Sequence, residues 1–313
     1  MNAFKNRNIA AVVVTFNRSR LLVECLRALL RQSVALSRIY VIDNASTDGT
    51  LEILATSGLL EFPTISYKRL DSNLGGAGGF SYGVSLAHSK GCDWIWLMDD
   101  DAEPEPECLL TLIDGINQLK LSCDEPVCIC PRVVNYFSRE FEWHQHKRLT
   151  RYYFDKPVSL EENRFQRIDG NAFVGPLFSR SCVSLVGVPR AEFFLWADDL
   201  DYTYRVSKAG AVWLDNSAIV LHKDNTPGNP GPIKSYYWIR NYLWFIANTI
   251  PANERLSFVR RVRWILSIGK IVYRSFLMTF RFLLRGGMPL QTSMLPIRGI
   301  IDALFNRSGK CPE

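Results

Sequence analysis

Two acidic clusters and a single histidine are the residues of this chain whose types and spacing could do chemistry. Asp99, Asp100 and Asp101 follow directly on the apolar run Trp94 to Met98. Three adjacent anions repel one another, so the triplet makes physical sense where a divalent cation and a phosphate-bearing ligand share the site. Hard cations take carboxylate oxygens, and Mg²⁺ is usually held by one or two carboxylates together with substrate phosphates. Alternation along an extended chain puts Asp99 and Asp101 on one side, which makes them the expected ligands. The plainer reading is a solvated acidic loop before a helix whose first turn carries Glu103, Pro104, Glu105 and Pro106. The position of the triplet at the end of a buried strand argues against it.

The second cluster lies in Phe193-Phe194-Leu195-Trp196-Ala197-Asp198-Asp199-Leu200-Asp201, downstream of the apolar stretch from Ile168 to Leu177 that holds Asp169. An acidic helix start with a favourable dipole interaction accounts for one carboxylate but not for the adjacent Trp and Phe. Arg205, four residues after Asp201, is spaced to pair with it on a helix. His222 ends the apolar run Ala218 to Leu221. A lone strand-end histidine is more often a surface residue than a ligand, yet a third protein ligand would complete a two-aspartate site.

Alternating elements must position these groups. Ile9 to Phe16 is read as the first strand and Arg18 to Gln32 as an amphipathic helix with Leu22, Cys25, Leu26, Leu29 and Leu30 on one side. Ile39 to Ile42 is the second strand, followed by a polar turn in which Ser46 or Thr47 caps a helix to about Thr56. Ile65 to Leu70 and Trp94 to Met98 are the third and fourth strands, with a helix between them that ends near Lys90. Strands alternating with helices imply right-handed crossovers and an α/β fold with a mostly parallel sheet. Thr15, Asn17 and Asp43 then share the carboxyl edge with Asp99, a crevice suited to a nucleotide. A carboxylate at Asp43 can accept from a base N–H or from ribose hydroxyls, and a turn or cap is its plainer role. The glycine-rich Asn73 to Phe80 fits a dinucleotide fingerprint poorly, since Ser81 holds the third glycine position and the stretch follows the third strand.

Composition narrows the classes. Lys and Arg number 37 against 31 Asp and Glu, for a formal charge of +6. Nine of those basic residues, and no acidic one, fall between Arg255 and Ile300, which leaves −3 for the rest. Eight cysteines without framework spacing read as reduced and cytosolic. Cys123, Cys128 and Cys130 lack the partners of a zinc site, and His144 and His146 read as loop residues. Lys5 and Arg7 before Ile9 to Val14 imitate a signal peptide, but Asn17 to Arg20 stand where a cleavage site belongs. No apolar run is long enough to predict a spanning helix.

After Thr226-Pro227-Gly228-Asn229-Pro230-Gly231-Pro232 the composition shifts, which predicts one domain over 1–226 and a helical region over 227–313 opening with Tyr236 to Asn241, YYWIRN. Arg260, Arg263, Ser267, Lys270, Arg274, Arg281 and Arg285 fall on one helical face, with Trp264, Ile265, Ile268, Ile271, Val272 and Phe276 over much of the remainder. Such a basic amphipathic helix suits the interface of an anionic membrane. Packing on the first domain is the alternative, and the apolar interleaving argues against nucleic acid.

Val12-Val13-Val14-Thr15-Phe16-Asn17-Arg18, Ile42-Asp43-Asn44-Ala45-Ser46-Thr47-Asp48-Gly49, Leu97 to Asp101 and Phe193 to Arg205 together resemble a family 2 glycosyltransferase of the GT-A fold. The likeness runs over roughly 9–224. Asn73 to Phe80 and Phe194 to Asp199 most resemble bacterial galactofuranosyltransferases, with rhamnosyltransferases next. The resemblance implies a Rossmann-like mixed sheet with helices on both faces. It implies that Asp43 contacts the uracil or thymine of a nucleotide-sugar donor, UDP-galactofuranose or dTDP-rhamnose, with Thr15, Asn17, Asn73, Gly75, Gly76, Asp99 and Asp100 completing the donor site. Asp99 and Asp101 would form a DxD motif that holds Mn²⁺ or Mg²⁺ with His222. Asp199 would be the base of an inverting transfer, and Asp169, Trp196 and Asp198 would bind a lipid-linked glycan acceptor. The protein would work as a cytoplasmic, peripheral enzyme at the inner face of the cell membrane. A non-catalytic nucleotide-sugar-binding subunit that keeps the fold is the alternative.

Overall fold

The computed structural model describes residues 7–122, 126–149, 155–157, 163–223, 231–250, 258–285 and 288–311. Lys5, Cys123 and the expected boundary at 226/227 lie outside them.

The apolar runs form the strands expected of them. β1 (Ile9–Thr15) is buried throughout, and β2 (Arg38–Asp43), β3 (Ile65–Arg69) and β4 (Trp94–Asp99) join it in parallel in the order β3-β2-β1-β4. Alternate side chains of β1 serve two cores, as the period of a strand requires. Ala11 and Val13 meet Leu22, Leu26 and Leu29 of α1 (Ser19–Leu30) and Leu109, Leu112 and Ile116 of α4 (Cys108–Ser122). Ala10, Val12 and Val14 meet Phe80 and Val84 of α3 (Gly75–Ser89), on a face that also carries Tyr202 and Val206 of α6 (Asp198–Ala209). Helices thus cover both faces, with the short α2 (Thr50–Thr56) and α5 (Arg180–Val186) completing the crossovers.

Beyond β4 the sheet turns mixed. β5 (Ala102–Pro104), β6 (Pro126–Asn135), β11 (Leu177–Ser179) and β12 (Ala211–His222) extend it as β4-β11-β6-β12-β5, with β9 (Phe165–Arg167) also on β12. β7 (His146–Leu149), β8 (Asp155–Pro157) and β10 (Gly170–Asn171) form a small second sheet. The helix start at Glu103 that the plainer reading supposed is not formed: residues 102–104 pair antiparallel with β12, and the helix begins at Cys108. Pro104 is tolerated because an edge strand does not need its N–H.

The C-terminal region shares a core with the rest. α7 (Pro232–Trp244) opens with proline and continues as a π-helical turn, Phe245–Thr249. Ile239, Leu243, Phe245 and Ile246 pack with Ala77, Phe193, Leu200 and Tyr204. α8 (Phe258–Arg285) follows, then the short α9 (Leu290–Ser293) and α10 (Leu295–Leu304). α10 runs close along α7, since a Cβ on Gly299 would lie 2.8 Å from the Tyr236 carbonyl oxygen.

The faces of α8 differ from expectation. Ser267, Ile271, Ser275, Thr279 and Phe282 point inward, whereas Ile265, Leu266, Tyr273, Phe276, Phe280 and Leu284 are exposed beside Lys270, Arg274 and Arg281. The small polar residues allow close packing of the helix, and the bulky apolar ones remain outside with the cations. The side chains of Arg260, Arg263, Trp264 and Arg285 lie outside the described residues. Among the described residues no helix is long and apolar enough to cross a membrane.

Candidate functional site

Parallel pairing brings three strand ends to one edge: Thr15 lies opposite Asp43, and Val14 opposite Asp99. Asp99 ends β4, and Asp100 and Asp101 form the turn behind it. Asp100 turns to β1, where Thr15 Oγ1 donates to its Oδ2 at 2.7 Å. Arg18, which the sequence did not single out, bridges the triplet with Nη1 at 2.6 Å from Asp101 Oδ2 and 3.3 Å from Asp100 Oδ1. Burial and the neighbouring carboxylates push Asp99 well up. Asp100 rises to about 6 because burial outweighs the attraction of Arg18. One guanidinium therefore offsets only part of the anionic charge.

Asp101 meets His222 through the backbone ladder. His222 pairs with Ala102, and the Lys223 N–H donates to the Asp101 carbonyl at 2.9 Å. His222 Nε2 consequently stands 3.4 Å from Asp101 Oδ1, while its Nδ1 is 2.7 Å from Glu142 Oε2. Glu142 also accepts from Asn135 Nδ2 and Gln145 Nε2 at 2.9 and 3.0 Å. Burial disfavours the imidazolium, but hydrogen bonds and charge from Asp101 and Glu142 win and hold His222 at about 10. Burial likewise opposes ionisation of Glu142, and its bonds to His222, Gln145 and Asn135 carry it down to about 2.

These residues fit a divalent ion. Asp101 Oδ1 is buried and ion-paired with His222 Nε2 at 3.4 Å, a pair that a cation could enter once the imidazole gives up its proton. Carboxylate oxygen and imidazole form a donor set suited to such an ion. Asp99, Asp101 and His222 do not, however, converge as a ready-made cage; among the described residues no group of three or more His, Cys, Asp and Glu side chains does. Asp101 and His222 are the close pair. Mutual repulsion keeps three carboxylates from converging, and an ion of this class also draws ligands from substrate phosphates.

The Asp43 side of the edge is held by loop-to-loop bonds. Asp43 is buried; its Oδ1 accepts from the Ser46 N–H at 2.8 Å, and its Oδ2 accepts from the Tyr67 hydroxyl. Asn17, at φ +55°, donates from its N–H to Ser46 Oγ at 2.9 Å and accepts from the Thr47 N–H at 2.7 Å. Ser46 and Thr47 therefore do not cap α2, whose N-cap is Gly49. Asp48 instead accepts from Ser19 N–H at the start of α1 at 3.1 Å.

The glycine-rich turn is shaped by packing. Asn73 Oδ1 accepts from Gly75 N–H at 2.8 Å, and Asn44 Nδ2 donates to the Gly75 carbonyl at 3.1 Å. Gly79 and Gly83 lie where a Cβ would collide with Val14 and Val12, and Gly75 is pressed against Phe194. Gly76 has open space before it.

The second acidic cluster starts α6. Asp198 is buried beside Asp199, and burial first, then that neighbour, pushes it well up. Asp199 Oδ1 accepts from the Leu200 N–H at 2.7 Å, and its carbonyl accepts from Thr203 Oγ1 at 2.7 Å. The expected Asp201–Arg205 pair forms at 2.9 Å, and Arg190 joins it at 3.1 Å. Asp169 precedes β10, whose Asn171 N–H donates to Thr203 Oγ1 of α6 at 2.9 Å. Trp196 is half-buried, with Lys234 Nζ 5.8 Å above its ring.

His146 is no loop residue. It opens β7 fully buried, with Nδ1 2.5 Å from Asn171 Oδ1 and Nε2 accepting from the Val133 N–H at 3.2 Å. Burial lowers it to about 4, so it stays neutral. Glu142, Arg18 and His146 were missed because their partners lie 80, 83 and 25 residues away. The one available signal for Glu142 was an acid within a segment that carries two histidines.

Residues 10–180 match the sequence profile of Glycosyl transferase family 2. The chain is 31% identical over 208 residues to the galactofuranosyltransferase GlfT1 of Mycolicibacterium smegmatis, covering 64% of this chain and 66% of that protein. It is 28% identical over 212 residues to GlfT1 of Mycobacterium tuberculosis, covering 65% and 66%. It thus spans just under two thirds of the length of these relatives. In structure it is similar to GalNAc-T7, crystallised with UDP, GalNAc and Mn²⁺, with a TM-score of 0.58 and 14% identity over 82% of this chain and 54% of that one. Staphylococcus aureus TarS gives 0.54 and 13% identity over 96% and 54%. Both are GT-A glycosyltransferases, and the sheet described above has that fold.

Proposed function

Because the chain belongs to glycosyl transferase family 2, we propose that it is a metal-dependent, inverting glycosyltransferase that moves galactofuranose from UDP-galactofuranose to a lipid-linked glycan. The observation that carries this reading is the buried pair of Asp101 Oδ1 and His222 Nε2 at 3.4 Å, beside the strand-end crevice of Thr15 and Asp43. Asp101 and His222, with Asp99 adjacent, would hold Mn²⁺ or Mg²⁺. A bound cation supplies Lewis-acid stabilisation of the diphosphate leaving group.

The chain's own residues do the rest. Asp43, fixed by Ser46 and Tyr67, reads the base, and Thr15, Asn17, Asn73, Gly76 and Asp100 line the remainder of the donor crevice. Gly75 serves this surface through its backbone, since its Cα is taken up by contact with Phe194. Asp199 takes the proton from the acceptor hydroxyl, as an inverting transfer requires of one base. Asp169, Trp196 and Asp198 bind the acceptor around it. The high affinity of buried Asp198 for its proton suits it to donate a hydrogen bond to a sugar hydroxyl.

Donor identity rests on likeness to proteins named as galactofuranosyltransferases. A site built to hydrogen-bond the exocyclic diol of galactofuranose rejects the methyl-bearing rhamnose strongly, because its polar groups would be left unpaired. Residues 1–226 are read as the catalytic unit and 227–313 as the region that meets an anionic membrane at the cytoplasmic face. The outward apolar residues of α8 interleaved with Lys270, Arg274 and Arg281 support that surface.

The test is a panel of UDP- and dTDP-sugars with Mn²⁺ or Mg²⁺, reading released nucleoside diphosphate with and without glycolipid acceptor. Turnover confined to UDP-galactofuranose is expected. Turnover confined to dTDP-rhamnose would replace the donor, and none with any donor would favour a non-catalytic binding subunit.

A further inference from the structure

The stretch that leads into Asp199 has a backbone that three side chains resist. Phe194, Trp196 and Ala197 all take left-handed conformations, at φ +62°, +67° and +63°. Non-glycine residues persist there only where the surroundings over-determine them. The surroundings are the Tyr236 to Asn241 motif of α7. Asn241 is fully buried, and its Nδ2 lies 2.9, 2.7 and 2.8 Å from the carbonyl oxygens of Phe193, Leu195 and Trp196.

Arg240 fixes the sense of that amide. Its Nε donates to Asn241 Oδ1 at 2.9 Å, which turns Nδ2 toward the three carbonyls. Arg240 is itself fully buried. It donates through Nη2 to the Phe193 carbonyl at 2.8 Å and through Nη1 to the Gly309 carbonyl at 2.7 Å, with the rings of Tyr236, Tyr237 and Trp244 5.1 to 5.3 Å away. The Phe194 ring stacks on Tyr237 at 5.3 Å. The two hydrogens of this buried amide are shared among three carbonyls of one loop, and those bonds are made only while the loop keeps this shape.

We infer that Asn241, oriented by Arg240, is a positioning residue: it clamps residues 193–197 in their left-handed path and so sets where Trp196 and Asp199 stand against the acceptor. The inference rests on the reading of Asp199 as base, and it gives the C-terminal region a part in transfer independent of any membrane. An isosteric carboxylate cannot replace the amide, because its oxygens would face three carbonyl oxygens with no hydrogen to share.

The test uses the full chain with Asn241→Ala and Asn241→Asp. Amide hydrogen exchange over residues 193–201 should rise in both, and transfer should fall by roughly 10²-fold, the scale for reacting groups misplaced by about an ångström. Donor affinity, read by nucleotide binding with Mn²⁺, should fall far less than transfer, since Asn241 makes no bond to Thr15, Asp43 or the acidic triplet and the donor side meets the loop only where Gly75 and Ala77 touch Phe194. Adding Ala197→Gly to Asn241→Ala should recover part of both losses, because glycine takes a positive φ freely; the double variant also carries the test if the single one does not fold. Unchanged exchange with unchanged transfer would overturn the clamp, as would donor affinity and transfer falling together. Asp199→Asn run alongside separates the two readings: if it retains transfer, the base assignment fails while the exchange measurement still judges the clamp.

Discussion

Gly75 and Phe194 approach so closely that a Cβ on the glycine would lie 2.0 Å from the phenylalanine carbonyl oxygen. The same carbonyl accepts from the Ala77 N–H at 3.2 Å. The start of α3 and the loop that carries Trp196 and Asp199 are therefore in direct contact. Glycine is required at 75 by that contact and by its φ of +74°.

Removing charge from the acidic triplet should separate stability from activity. Asp99→Asn replaces a half-buried carboxyl that its neighbours already disfavour as an anion, so the folded state is expected to hold within about 1 kcal/mol in urea unfolding. Turnover is expected to be lost. Half the native activity in that variant would remove Asp99 from the site.

Glu142 is expected to act through His222. Glu142→Gln keeps the shape of the Nδ1 contact and removes its charge, which should weaken Mn²⁺ binding by about 10- to 100-fold, the usual scale for a partner behind a ligand. Titration calorimetry with Mn²⁺ and UDP reads this without any turnover. Unaltered affinity would leave Glu142 as a purely structural residue.

The outward face of α8 makes a vesicle prediction. Lys270→Glu, Arg274→Glu and Arg281→Glu together should release the protein from anionic vesicles, at about 1 kcal/mol per charge, while transfer to a soluble acceptor persists. Phe276→Ser with Phe280→Ser should weaken binding to neutral vesicles as well. If neither set alters sedimentation with vesicles, the face serves some other contact.

His146 predicts a pH dependence of stability. Its value falls from the ordinary 6.5 to about 4 on folding, so the folded state binds the proton less well than the unfolded chain. Above 6.5 both states are neutral and nothing changes; as pH falls from 6.5 toward 4, the unfolded state gains the proton and stability drops. The loss between pH 7 and pH 5 should be roughly 2 kcal/mol. Urea titrations at both values should show that much less loss in His146→Gln, and parallel losses would place the acid sensitivity elsewhere.

The candidate site's edge was legible where chemistry and burial share a local signal. Five apolar residues ending in three aspartates announce a strand end, and Asp201 with Arg205 needs only helical spacing. Contacts set by topology left no such mark. Glu142 lies in a polar hairpin and meets His222 only because β6 and β12 are neighbours. Pro104 imitates a helix start, yet the edge of β12 claims residues 102–104 as a strand. A wheel drawn for α8 shows two kinds of side chain but not which faces the protein; Ser267 and Ser275 are buried, and Phe276 and Phe280 stay outside.

β12 deserves to be seen as a ruler. Its register against β6 slips between Asp215 and Ile219 and is then strict from Ile219 to His222, which pairs with Asn135 on one side and Ala102 on the other. Because side chains alternate, a single residue added or removed after Ile219 would swing the imidazole to the opposite face and part it from Asp101. The same insertion in the irregular stretch 216–218 would be taken up by a bulge, with the last four rungs left in phase. Length variation in this strand is thus silent on one side of Ile219 and fatal to the Asp101–His222 pair on the other.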